Sequence, residues 1–305
     1  MAIRLISPLK PLCDPHNRLE TDSRLAGDIK GQKLLATSPI VPVFNKPPSN
    51  GPSGLNGIQQ VTQVLFGETV TLLATDETAT WIEIINDFDG YRGWSHVRDF
   101  IKTDTPVGPS NTQDLLKRVS LAATPIYTQP DIKSPTIKSL PMGSVVTLKS
   151  QPETKDKFCE TDHGWIIKSH LCCDDGYARD PVLIAHSLCG APYLWGGKSI
   201  LGIDCSGLIQ IALMACGLRV HRDSDLQFES LGRLLRDGEQ PQRGDLAFFP
   251  GHVGIMWDSH NLLHANATHM AVTIDPIDHV IDWVKADMKE TDTRPAFLGY
   301  KRLNL

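Results

Sequence analysis

The sequence predicts an α+β protein: two small β-barrels followed by one α+β domain. Three observations carry this expectation. Short apolar segments separated by turn residues fill positions 31–121, a glycine-led strand motif recurs further along, and beyond residue 176 helical periodicity precedes a run of strands. A chain of 305 residues has the length for two or three domains, and 41% hydrophobic residues can supply their cores.

Residues 1–34 form an N-terminal segment, and the first β unit is expected over 35–103. Its strands are Ile40 to Phe44, Val61 to Phe66, Thr69 to Ala74 and Thr80 to Ile85. The stretch 46–54, dense in Pro, Gly and Ser, is an exposed loop inserted between the first two strands. Gly67-Glu68-Thr69-Val70-Thr71-Leu72, followed by Gly93-Trp94, is echoed by Gly143-Ser144-Val145-Val146-Thr147-Leu148, followed by Gly164-Trp165. A second unit is therefore expected over 104–175, with the boundary in the turn-rich stretch 103–112. In each unit the Trp is expected to cap one open end of a five-stranded barrel. The pattern resembles the bacterial SH3-like domains of cell-wall enzymes.

The third unit, 176–305, begins after Asp174-Asp175-Gly176. Pro181 to Cys189 reads as a short helix, Leu208 to Cys216 as a buried helix closed by Gly217, and Leu226 to Leu235 as a third. Strands follow at Asp245 to Phe249, His252 to Trp257, Leu262 to Ala265 and Ala271 to Ile274, an antiparallel meander.

Composition narrows the function classes. Thirty basic against thirty-five acidic residues give a net charge of −5, which disfavours nucleic-acid binding. No apolar run approaches a membrane span, and the first residues lack an export signal, so no membrane association and a cytoplasmic location are expected. Seven scattered cysteines do not form a disulfide framework, and Cys172-Cys173 is a poor spacing for zinc; no metal or cofactor is expected.

Cys205, in Gly202-Ile203-Asp204-Cys205-Ser206-Gly207, opens the buried helix. The unsatisfied N–H groups and positive dipole end there are expected to favour a thiolate. His252 and His264 lie on adjacent strands and could serve as base and orienting group. Because strand faces alternate, they share a face only if an odd number of residues connects the strands or a bulge intervenes.

Ala191-Pro192-Tyr193-Leu194-Trp195-Gly196-Gly197, Asp204-Cys205-Ser206-Gly207, Arg243-Gly244-Asp245-Leu246, His252-Val253-Gly254-Ile255 and Leu263-His264-Ala265 stand in the order of the NlpC-type cell-wall cysteine peptidases, which this sequence resembles over about 180–300. The resemblance implies a papain-like α+β fold with Cys205 as nucleophile, His252 as general base and His264 orienting it. It also implies the Tyr193 hydroxyl beside the oxyanion. Gly196-Gly197 is expected to allow a close backbone approach and Trp195 to supply core area.

Two SH3-like units ahead of such a peptidase, with Arg222-Asp223-Ser224, resemble the subgroup that cleaves the γ-D-glutamyl to diamino acid bond of murein peptides with a free N-terminal L-alanine. That resemblance implies an ammonium subsite built from Asp223, Ser224, Asp204 and Ser206, closed by Glu68 and Tyr91 of the first unit. The alternatives are a wall-peptide binding protein with an inert peptidase domain, and a thiol amidase or acyltransferase using the same triad.

Overall fold

The computed structural model describes residues 31–48, 57–103, 115–172, 178–289 and 293–303. The expected N-terminal segment, most of the inserted loop and both inter-unit boundaries lie wholly or largely outside these residues.

The first β unit comprises β1 (Lys33–Ala36), β2 (Ile40–Phe44), β3 (Gln60–Leu65), β4 (Thr69–Thr75), β5 (Trp81–Asn86), β6 (Arg92–His96) and β7 (Phe100–Lys102). All pair antiparallel in the order β3-β2-β6-β5-β4-β1-β7. Period-two alternation drives this, since Val41, Val43, Ile82 and Ile84 point inward while their neighbours are half-buried.

In the second unit β8 (Leu116–Arg118), β9 (Ala123–Tyr127), β10 (Thr136–Pro141), β11 (Val145–Thr147), β12 (Phe158–Thr161) and β13 (Gly164–Ile167) form a four-stranded and a two-stranded sheet. Phe66 of the first unit is buried in its core with Ile126, Leu140 and Ile166. The Trp caps expected here do not form. Gly93 and Ser95 face inward on β6 and Ile166 on β13, so strand alternation turns Trp94 and Trp165 away from both buried clusters.

The third unit contains α1 (Pro181–His186), β14 (Lys198–Ser199), β15 (Gly202–Ile203), α2 (Cys205–Ala215), α3 (Ser224–Ser230), β16 (Arg233–Leu234), β17 (Leu246–Phe249), β18 (His252–Met256), β19 (Asn261–Asn266), β20 (Ala271–Pro276), α4 (Ile277–Asp287) and β21 (Gly299–Arg302). An antiparallel sheet runs β16-β21-β17-β18-β19-β20, with α2 packed on β18 and β19. Asp180 caps α1, accepting from Val182 and Leu183 N–H, with Pro181 in the first turn. The third helix stops earlier than expected: Leu231 is extended and Gly232 adopts a φ of +52°, and the chain then pairs with β21. Sequence reasoning missed α4 and β21.

The large core around α2 draws Leu65 from the first unit and Met142 from the second. All three units thus pack through one apolar contact region, in which Leu65 and Gly143 lie against Ile211 and Met214 in the second half of α2. Among the described residues no helix is long and apolar enough to cross a membrane.

Candidate active site

Helix α2 begins at Cys205 because Asp204 caps it, its Oδ1 accepting from the Gly207 N–H at 2.7 Å. The thiol is buried and lies against the Val253 backbone, the residue after His252; the Val253 and Ser206 amides donate toward it.

Met256 pairs with Leu262, so five residues, 257–261, separate the last paired positions of β18 and β19. That odd number puts His252 and His264 on one face. His252 Nε2 lies 2.8 Å from His264 Nδ1, and His264 Nε2 lies 3.2 Å from Asp275 Oδ2 on β20. The Asp275 carboxylate accepts from His264 Nε2–H, so His264 Nδ1 accepts from His252 Nε2–H, leaving His252 Nδ1 as its basic nitrogen. Asp275 also accepts from Thr273 Oγ1 and lies 3.3 Å from His269 Nε2.

Gly254 makes this contact possible. A Cβ there would meet Leu262 Cγ at 2.7 Å and His264 Cβ at 2.9 Å, so only glycine leaves His264 room across the sheet from His252. Backbone packing at the nucleophile is equally tight: a Cβ at Gly207 would meet the Gly197 carbonyl oxygen at 2.3 Å, as the Gly-Gly run anticipated.

The electrostatics depart from expectation at the nucleophile. Burial, reinforced by the adjacent Asp204 carboxylate, pushes the Cys205 thiol up to about 12, so the resting group is a thiol. The carboxylate that caps the helix counters its dipole at the sulfur, with Arg222 opposing only in part. Burial and the neighbouring His264 hold His252 down at about 3, so its imidazole is neutral. Tyr193 runs beside Ile203, and burial together with Cys205 holds its phenol well above the ordinary value, as a protonated donor.

Arg222 is fully buried and organises the other side of the nucleophile. It donates to both Asp204 oxygens at 2.9 and 2.6 Å, to Ser206 Oγ at 2.8 Å, to the Gly197 carbonyl at 3.2 Å and, across the unit seam, to Thr62 Oγ1 at 3.0 Å. Asp204 Oδ2 also accepts from Gly196 N–H. Direct substrate contact is therefore corrected for Asp204, whose oxygens are saturated, and for Ser206, whose hydroxyl joins Arg222 to Asp204.

Glu68 is buried: its Oε2 accepts from Leu65 N–H at 2.9 Å and lies 3.7 Å from the Nζ of fully buried Lys198, while its Oε1 has no hydrogen-bond partner among the described residues. Asp223 stands at the start of α3 without capping it and accepts from the Tyr91 hydroxyl, both half-buried. Burial raises Asp223, while burial and Asp223 push the Tyr91 phenol up to about 12. Ser224 follows, half-buried. Trp195 is 61% exposed and supplies no core; only its carbonyl is engaged, by Gln60 Nε2.

The motifs did not single out Asp275, Arg222 or Lys198 for roles. For Asp275 the signal was present, since Thr273 pairs with His264 and Asp275 is the next residue on that face.

Residues 190–289 match the NlpC/P60 family and residues 56–99 the bacterial dipeptidyl-peptidase SH3 domain. One SH3 domain is thus matched, within the first β unit, where two were expected; the second unit divides into two separate sheets. A dipeptidyl-peptidase 6 of Lysinibacillus sphaericus is 26% identical over 247 residues, 76% of this chain and 90% of its own length. A γ-D-glutamyl-L-lysine dipeptidyl-peptidase of Bacillus cereus is 25% identical over 71% of this chain and 70% of its own. The crystal structure of an NlpC/P60 family protein from Bacillus cereus superposes with a TM-score of 0.67 at 19% identity, covering 89% of this chain and 99% of that one.

Proposed function

We propose, from the premise that this chain is a cysteine peptidase of the NlpC/P60 family, that it hydrolyses the γ-D-glutamyl to diamino acid bond of murein peptides whose N-terminal L-alanine is free. The observation that carries the substrate reading is the Tyr91–Asp223 pair, a carboxylate and a phenol from two units meeting beside the Arg222–Asp204 cluster. Asp223 makes no capping hydrogen bond to α3, so its charge is available to an ammonium, with the Tyr91 hydroxyl beside it. The names of the relatives agree with this bond.

In the reaction, the Cys205 thiol gives its proton to His252 Nδ1 as sulfur attacks the γ-carbonyl carbon. The Cys205 N–H, at the first turn of α2, and the Tyr193 hydroxyl donate to the oxyanion. His252 then protonates the leaving amine as the C–N bond breaks. Water, deprotonated by the same imidazole, hydrolyses the thioester and restores the thiol. Asp275 and His264 hold His252 in the required tautomer throughout. Because the subsite demands a free N-terminus, peptides already released from the wall are the proposed substrates, and their recycling in the cytoplasm the proposed role.

Asp223→Asn tests the subsite. It should raise KM for L-Ala-γ-D-Glu-L-Lys about tenfold with kcat little changed. An unchanged KM would remove Asp223 from substrate recognition.

A further inference from the structure

The turn at residues 195–198 is held from two sides. Toward the active site, Lys198 pairs with Ile203 in the β14–β15 hairpin, two residues before Cys205, and Tyr193 bridges to the same Ile203. The Gly197 carbonyl oxygen accepts from the Asp204 N–H and lies so near the first turn of α2 that a Cβ on Gly207 would meet it at 2.3 Å. Gly196 N–H donates to Asp204 Oδ2 at 2.7 Å. The turn therefore sets where Cys205 and Tyr193 stand relative to each other.

Away from the active site, the turn rests on β3 of the first unit. Gln60 Nε2 donates to the Trp195 carbonyl at 3.0 Å, and Gln63 Oε1 accepts from the Lys198 N–H at 2.8 Å. Gly196 adopts a φ of +74°, and a Cβ there would meet the Gln60 carbonyl oxygen at 2.9 Å, so backbone lies on backbone. Gln63 and Lys198 are both buried, so removing the Gln63 acceptor strands the Lys198 amide away from water and loosens the turn.

We propose that the first β unit positions the nucleophile, besides contributing Tyr91 to the substrate site, and that Gln63 is the principal positioning residue. It touches no reacting atom. Its bond to the Lys198 amide fixes β14, β14 fixes Ile203, and Ile203 lies between Tyr193 and the start of α2. A displacement of about 1 Å in such a support lowers a catalysed rate by up to about a hundredfold. The inference requires the cysteine nucleophile and is independent of the γ-D-glutamyl specificity.

The test compares, in the full chain, Gln63→Met, which removes the acceptor, with Gln63→Glu, which keeps one. The probe is 4-nitrophenyl acetate, which carries no ammonium or γ-glutamyl group: sulfur attacks the acetyl carbon, 4-nitrophenolate leaves and acetyl-Cys205 forms, the Cys205→Ala rate being subtracted. Gln63→Met should be acylated about tenfold more slowly than wild type at an unchanged burst amplitude, which counts folded enzyme, and Gln63→Glu should recover most of the rate. On L-Ala-γ-D-Glu-L-Lys the loss should fall on kcat, with KM within about twofold. Gln60→Ala, at a half-buried position, repeats the test should Gln63→Met fail to fold, and its acylation should slow about threefold. A reduced burst amplitude at the wild-type rate constant would make the role structural and overturn the proposal. Unchanged acylation, or an effect on KM alone, would confine the first unit to recognition and overturn it as well. Wild type acylated by the ester but inactive on the peptide would overturn the γ-D-glutamyl reading and not this one; wild type not acylated at all would overturn this one.

Discussion

Asp204 starts the helix that carries the nucleophile and, in the same place, raises the proton affinity of the thiol beside it. With Cys205 up at about 12 and His252 down at about 3, the free protein holds a neutral thiol–imidazole pair, and the proton moves only during attack. Alkylation of Cys205 by iodoacetamide should therefore accelerate continuously from pH 6 to 9. A rate already level below pH 7 would mean a preformed thiolate and contradict this account. Cys205, His252, His264 and Tyr193 were legible in the sequence because each sits in a short motif. The raised thiol was not, because helix position alone argues for the opposite shift and burial plus the capping carboxylate outweigh it.

At the scale of elements, the β18–β19 hairpin decides whether a triad exists at all. Its odd spacing puts both histidines on one face, and Gly254 leaves the gap that His264 fills. Gly254→Ala should cost about 1–3 kcal/mol of stability from overpacking, and should lower kcat by pushing His264 away from His252. A variant with wild-type kcat would show that this spacing is not needed; calorimetry and steady-state rates decide it. Strand alternation made most of the sheets readable in advance, as for Val41 and Val43 on β2. The Gly-Trp motif points to a capping Trp, whereas the period-two register puts Gly93 and Ser95 inside and turns Trp94 away. Helix α4 carries an apolar stripe, Ile277, Val280 and Val284, at helical spacing.

For the whole molecule, the first unit is part of the site. Arg222 reaches from the peptidase domain to Thr62, Gln63 Oε1 accepts from Lys198 N–H, and Gln210 bonds Asp89. None of these seam contacts could be found from local sequence, since each joins residues more than a hundred positions apart. Arg222→Ala leaves the buried Asp204 carboxylate without its cation and should cost about 3–5 kcal/mol; urea unfolding with a loss under 1 kcal/mol would show the pair to be dispensable.

The proposed demand for a free N-terminus, set by this seam, is tested most directly by mass spectrometry of cleavage products. Incubated with L-Ala-γ-D-Glu-L-Lys and with its N-acetyl form, the protein should release L-Ala-D-Glu from the free peptide and leave the acetylated one intact. Equal cleavage of both would contradict the ammonium subsite, and cleavage of neither would contradict the peptidase reading itself.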